Sequence, residues 1–123
     1  MRKVRKRQAA AVDRQTALRK FKAEVFQVLG HPTRIHIAEC LRDGERPVAD
    51  LLRSVGVEAA NLSQHLALLR AKGLVANRRA GNQVYYSLRD PLLIVVLDTM
   101  RTYFHTHLEE ALSMLEDLEG PRR

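Results

Sequence analysis

Thiols are nearly absent from this chain: Cys40 is the one cysteine in 123 residues. A single cysteine excludes an intrachain disulfide and suits a reducing compartment. Also missing is any run long and apolar enough to span a bilayer. The stretch Gln8-Ala9-Ala10-Ala11-Val12-Asp13 makes no signal-peptide core, so a soluble cytoplasmic protein is expected. There is no phosphate-cradling glycine loop, no nucleophile elbow and no clustered carboxylate pair. Ser63 and His65 stand close in sequence, but on a helix residues i and i+2 point about 160° apart, so they cannot share a proton. Catalysis is not expected. With neither a linker nor an internal repeat, the chain is bounded to one domain with one modest core, placed at residues 13–119.

Charge is present in excess and unevenly placed. Residues 1–20 hold Arg2, Lys3, Arg5, Lys6, Arg7, Arg14, Arg19 and Lys20 against Asp13 alone, which accounts for the whole net charge of +7. The segment 1–12 is therefore expected to be a disordered basic arm, either neutralising phosphates beside a bound nucleic acid or merely keeping the chain soluble. Residues 120–123, Gly-Pro-Arg-Arg, are expected to be a disordered tail.

The middle of the chain is more specific. Val48, Leu51, Leu52 and Val55 recur at i, i+3, i+4 and i+7, the spacing of a helix with one buried stripe. Gly56 supplies the left-handed conformation that ends such a helix. A second stripe follows at Leu62, Leu66 and Leu69. Opposite it stand Ala60, Asn61, Ser63, Gln64 and Ala67, small residues and short hydrogen-bonders without a long charged side chain. A helix that enters a DNA major groove needs such a surface, slim enough to approach and polar enough to touch base edges. His65 lies at the edge of this face, within reach of phosphate.

From Leu74 the period changes to alternation. Leu74–Arg79 is expected as one strand, Ala80-Gly81-Asn82 as the turn and Gln83–Leu88 as a second strand, with Val84, Tyr86 and Leu88 facing inward. This hairpin puts Arg78, Arg79, Asn82 and Gln83 at or near its tip, where they can grip phosphate or the minor groove. The remaining elements are helical. Phe21, Val25, Val28 and Leu29 stripe a first helix; Pro32 opens a second and Pro47 a third. A long last helix after Asp90-Pro91 carries Leu93, Val96, Leu97, Met100, Phe104, Leu108, Ala111, Leu115 and Leu118. That stripe exceeds what so small a core needs, so a partner helix face is expected. The fold class is mainly α with a small β-hairpin wing: four helices, two strands and a final helix.

The runs Leu29-Gly30-His31-Pro32-Thr33-Arg34-Ile35, Asn61-Leu62-Ser63-Gln64-His65-Leu66, Leu69-Arg70-Ala71-Lys72-Gly73-Leu74-Val75 and Val84-Tyr85-Tyr86-Ser87-Leu88 resemble the ArsR/SmtB family of small bacterial winged helix-turn-helix repressors. The similarity spans roughly residues 21–101. It implies a homodimer through the first and last helices that binds a near-palindromic operator in double-stranded DNA and blocks transcription until an inducer loosens it.

The resemblance does not extend to the family's metal sites. Many members hold metal through Cys-Val-Cys at the start of the third helix, where this chain has Pro47-Val48-Ala49. Others use carboxylate and histidine ligands on the last helix; Asp90 matches, but Leu92, Tyr103 and Thr106 fill the other positions. No cofactor is expected. An alternative is a Ni- or Zn-responsive repressor that uses His105 with Glu109 (i, i+4) and His107 with Glu110 (i, i+3), duplicated across a dimer. Cys40, between Ile37 and Leu41, fits a buried role better than a redox switch. His31 and His36 flank the second helix and suit packing or capping. The other alternative is a protein-interaction module with a vestigial groove face, to which Ala59 and Ala60 lend weight.

Overall fold

The computed structural model describes residues 2–120. Its elements run α1 (Arg2–Leu29), α2 (Pro32–Cys40), β1 (Arg46–Pro47), α3 (Val48–Val55), α4 (Ala59–Ala71), β2 (Val75–Ala80), β3 (Gln83–Leu88) and α5 (Leu92–Glu119). They form two compact units, Met1–Arg89 and Asp90–Arg123, where one domain over 13–119 was expected.

The segment expected to be a disordered arm over 1–12 is instead helical from Arg2 onward, continuous with the rest of α1. The physical reason is local. Between Arg2 and Leu29 there is no glycine or proline, and alanine, arginine, lysine, glutamine and leucine dominate, all strong helix formers. Of the expected disordered tail, residues 121–123 lie outside the described residues.

In the first unit, α2 opens as its sequence dictates. Pro32 sits at the start of the helix, and His31 caps it, its Nδ1 accepting a 3.1 Å bond from the Thr33 backbone N–H. The helix pair α3–α4 turns through Gly56, whose φ of 72° is the left-handed value the turn requires. At the far end of α4, the Leu74 N–H reaches back to the Leu69 carbonyl (3.0 Å) and the Gly73 N–H to Arg70 (2.9 Å), closing the helix and starting β2. Leu62, Leu66 and Leu69 of α4 pack with Ile37, Ala38, Leu41 and Leu51 into a core in which all seven are at most 2% exposed. Full burial of each leucine or isoleucine contributes roughly 1.5–3 kcal/mol.

Val28 and Leu29 join this core from α1, but Phe21, expected on the same stripe, is half exposed at 51%. Glu24 marks the change: the Lys72 Nζ donates a 2.7 Å bond to its Oε2, joining α1 to the C-terminal end of α4.

The hairpin pairs Val75 with Leu88 through Ala80 with Gln83, leaving a two-residue turn of Gly81 and Asn82. Gly81 has φ 61° and Asn82 has no positive φ, the pattern of a type II′ turn. The sheet has three strands rather than two, in the order β1-β3-β2. Arg46 and Pro47 pair with Tyr86 and Tyr85. Two residues carry no period, so β1 left no signal in the sequence, and Pro47 is tolerated because it lies on an edge strand. Pro47 also serves as N-cap of α3. Tyr86 is buried as expected, whereas Val84 and Leu88 are only half-buried.

The second unit is essentially α5. The Asp90 Oδ1 accepts a 2.9 Å bond from the Leu92 N–H and so caps its start. Leu97 is buried, but every residue from Arg101 to Glu119 is exposed, including Phe104, Leu108, Leu112, Met114, Leu115 and Leu118. Among the described residues no helix is long and apolar enough to cross a membrane.

Candidate nucleic-acid interface

The two faces of α4 separate cleanly. Leu62, Leu66 and Leu69 are buried, while Ala60, Asn61, Ser63, Gln64 and Ala67 are all exposed. This follows from the leucine spacing, because burying one stripe turns the opposite residues outward. No acidic residue stands in the first turn of the helix, and the Glu58 carboxylate at its N-cap makes no capping hydrogen bond.

Between α4 and the hairpin lies a groove of about 510 Å³. Ser63, Ala67 and Arg70 line it from α4, Asn82 and Gln83 from the hairpin tip, and Val48 and Ala49 from the start of α3. The structure thus brings Ser63, Asn82 and Gln83 to one concave surface. Arg70 is a groove residue that the sequence reading missed. Its signal was available, since Ser63, Ala67 and Arg70 follow i, i+4, i+7.

The two hairpin arginines differ. Arg78 donates from Nε to Glu45 Oε2 (2.6 Å) and from Nη2 to Glu45 Oε1 (2.5 Å), and its guanidinium lies 4.7 Å from the centroid of the Tyr85 ring. The hydrogen bond from Arg78 holds the Glu45 carboxyl below the usual carboxylate range. Arg79, the next residue along the strand, points to the other face of the hairpin and is exposed. So Arg78 is engaged within the protein and Arg79 is presented to solvent. Glu45 too was missed; it is 33 residues from Arg78 in sequence.

His65 is half-buried at the edge of the exposed face. Its ring lies 4.5 Å from that of His31, tilted by 45°, and its Nδ1 is buried without a hydrogen-bond partner. Burial, then the neighbouring His31 and Arg34, push its pKa below the ordinary histidine value, favouring the neutral ring. A neutral, half-buried imidazole is a poor phosphate ligand. As expected from its angular position, His65 lies at the edge of the face, between the buried and exposed sides of α4, with its ring against that of His31.

The metal-ligating candidates stand on α5. His105 Nε2 is 3.0 Å from Glu109 Oε1, and His107 Nδ1 is 3.4 Å from Glu110 Oε2, all four side chains being exposed. Each pair is a helical neighbour pair, and among the described residues no group of three or more ligands forms. The donor set at the start of α3, Pro47-Val48-Ala49, holds no thiolate and does not fit a soft metal. The Asp90 carboxylate is taken up in capping α5. Cys40 is half-buried and its thiol is pushed up by that burial, which disfavours a reactive thiolate.

The chain matches the bacterial regulatory proteins of the arsR family over residues 31–77, which run from the cap of α2 into β2. An uncharacterized HTH-type transcriptional regulator of Mycobacterium tuberculosis, Rv0081, is 45% identical over 104 residues, covering 84% of this chain and 91% of its own. This chain belongs to the ArsR family of bacterial regulatory proteins. Like its relatives, this ArsR-family member is a DNA-binding transcriptional regulator and not an enzyme. The crystal structure of Rv0081 matches the fold with a TM-score of 0.71 at 43% identity, over 77% of this chain and 96% of that one. The homodimeric winged helix-turn-helix DNA-binding domain of Mb0332 from Mycobacterium bovis gives 0.72 at 30% identity, over 80% and 91%. The biofilm growth-associated repressor of Xylella fastidiosa is 32% identical over 89 residues, 72% of this chain and 78% of the relative. In this ArsR-family fold α3 and α4 are the helix-turn-helix and β2–β3 the wing.

Proposed function

We propose that this regulator is a homodimeric repressor that reads a near-palindromic operator with α4 and steadies it with the wing. The observation that carries the reading is that Ser63 and Ala67 of the exposed α4 face share one groove with Asn82 and Gln83 of the wing tip. Ala60, Asn61, Ser63 and Gln64 meet base edges in the major groove, while Arg70, Arg79, Asn82 and Gln83 hold the backbone or minor groove. Arg78 joins them once Glu45 releases it.

The dimer is supported by the apolar surface that one chain leaves uncovered, Leu18, Phe21 and Phe26 on α1 and Phe104, Leu108, Leu112 and Leu115 on α5. A second copy covers these helices and sets two recognition helices about one DNA turn, ~34 Å, apart. The homodimeric Mb0332 domain and the Xylella repressor support this assembly and this direction of control.

Fluorescence anisotropy tests it, with DNA from upstream of the chain's own gene against scrambled DNA at matched salt. Preference for the upstream duplex at two protomers per site supports the proposal. Equal, salt-sensitive affinity for both would refute operator reading. Adding Ni or Zn to the same titration asks whether His105, His107, Glu109 and Glu110 act as ligands across the dimer, with release of DNA as the expected sign.

A further inference from the structure

We infer that the first half of α1 is a second DNA-binding element, a rigid basic helix that lies on the phosphates flanking the operator. This rests on the operator reading above and adds to it a contact outside the helix-turn-helix and wing.

Four observations converge on it. Arg5, Lys6, Arg7, Arg14, Arg19 and Lys20 are all exposed, and within residues 2–23 Asp13 is the lone carboxylate. Every described side chain from Val4 to Ala23 is exposed, so this stretch of helix, ~30 Å long at 1.5 Å per residue, does no packing work in the chain. Its first turn is cationic with no acidic residue, which sets positive charge against the positive end of the helix dipole. A helix so placed gains stability from an anionic surface laid along it. Third, Arg7, Ala10, Ala11, Arg14 and Gln15 share one shallow face of about 450 Å³. Arg7 and Arg14, two turns or ~10.5 Å apart, flank small alanines that let the helix axis come close to a phosphate row. Fourth, the Lys72–Glu24 bond of 2.7 Å fastens α1 to the end of α4 at the point where the exposed half begins. The basic helix is therefore carried by the same unit as the recognition helix. Its exposed large apolar residues are Val4, Leu18 and Phe21; Leu18 and Phe21 belong to the dimer surface above, which leaves too little for the broad apolar face of a membrane-surface helix and favours DNA over an acidic lipid surface.

The test uses the full chain and the variant R5A/K6A/R7A/R14A. Alanine keeps the helix, and circular dichroism checks that it does. Affinity is measured against salt on the upstream duplex trimmed to its binding site, and on the same duplex extended by about one helical turn on each side. The expected result is that the unaltered protein binds the extended duplex ~10-fold or more tightly at low salt and with a steeper log–log slope. The variant should lose that advantage, its slope falling by ~0.9 for each phosphate contact removed. If the two proteins share one slope on the extended duplex, the element is merely a solubilising helix and the inference fails. Loss of sequence preference in both proteins with the slope difference intact would sink operator reading yet uphold the basic element. Capture by vesicles of mixed phosphatidylserine and phosphatidylcholine, abolished in the variant while DNA slopes stay equal, would overturn it in favour of a membrane.

Discussion

The imidazoles of His31 and His65 lie 4.5 Å apart, joining the cap of α2 to the middle of the recognition helix. His31 uses its Nδ1 to accept the Thr33 N–H, and His65 has its own Nδ1 buried without a partner. Arg34 adds a third cationic or potentially cationic group to the cluster.

Acid should therefore loosen the seat of α4. The folded-state pKa of His65 is depressed by burial and by His31 and Arg34, so the unfolded chain binds this proton at higher pH than the folded one. The stabilisation is fully present above the ordinary histidine value of about 6.5 and is lost as pH falls through the lower folded value. Urea unfolding at about pH 7.5 and about pH 5.5 should show a drop in stability on acidification that is smaller in His65→Gln. Equal drops in both proteins would dissociate His65 from the effect.

Glu45 competes with DNA for Arg78. In Glu45→Gln one of the two acceptor oxygens is replaced by an amide NH2 and the carboxylate charge is lost, so the bidentate ion pair breaks and the guanidinium becomes available to phosphate. Binding to operator and scrambled DNA should both tighten severalfold at low salt, with a steeper salt slope. By the same logic Arg79→Ala should weaken DNA binding more than Arg78→Ala does.

Gln64 is exposed on the polar face of α4. Gln64→Ala should weaken operator binding by ~1–3 kcal/mol and leave affinity for scrambled DNA nearly unchanged. Anisotropy titrations on the two duplexes measure the difference directly. Equal losses on both would move Gln64 from base reading to backbone contact.

Leu69 is fully buried, at 0% exposure, where α4 meets the core of the first unit. Leu69→Ala should cost ~2–5 kcal/mol of stability through lost burial and a residual cavity. Denaturant unfolding checks it, and a loss near zero would mean that the core collapses around the missing side chain.

Much of this fold was legible in the sequence because its signals are local. The leucine stripe at 62, 66 and 69 needs only 3.6 residues per turn to say which side of α4 turns outward. The alternation from residue 74 and the glycine at 81 likewise place the wing, and Pro32 starts α2 where proline is best tolerated. The same local rule, applied to the first twelve residues, was misjudged: their charge suggested an arm, while their composition favours a helix, and the helix is what forms.

What the sequence could not carry is the identity of partners far along the chain. Arg78 and Glu45 are separated by 33 residues, His65 and His31 by 34, Lys72 and Glu24 by 48. No spacing rule relates such pairs, because they meet only when helices and sheet pack. Packing alone set His65 against His31, engaged Arg78, added Arg70 to the groove and paired Arg46–Pro47 with the wing. The sequence by itself determined which surfaces exist on each element. The tertiary structure decided which of their side chains remain free to act, since that depends on the geometry of contacts between elements rather than on order along the chain.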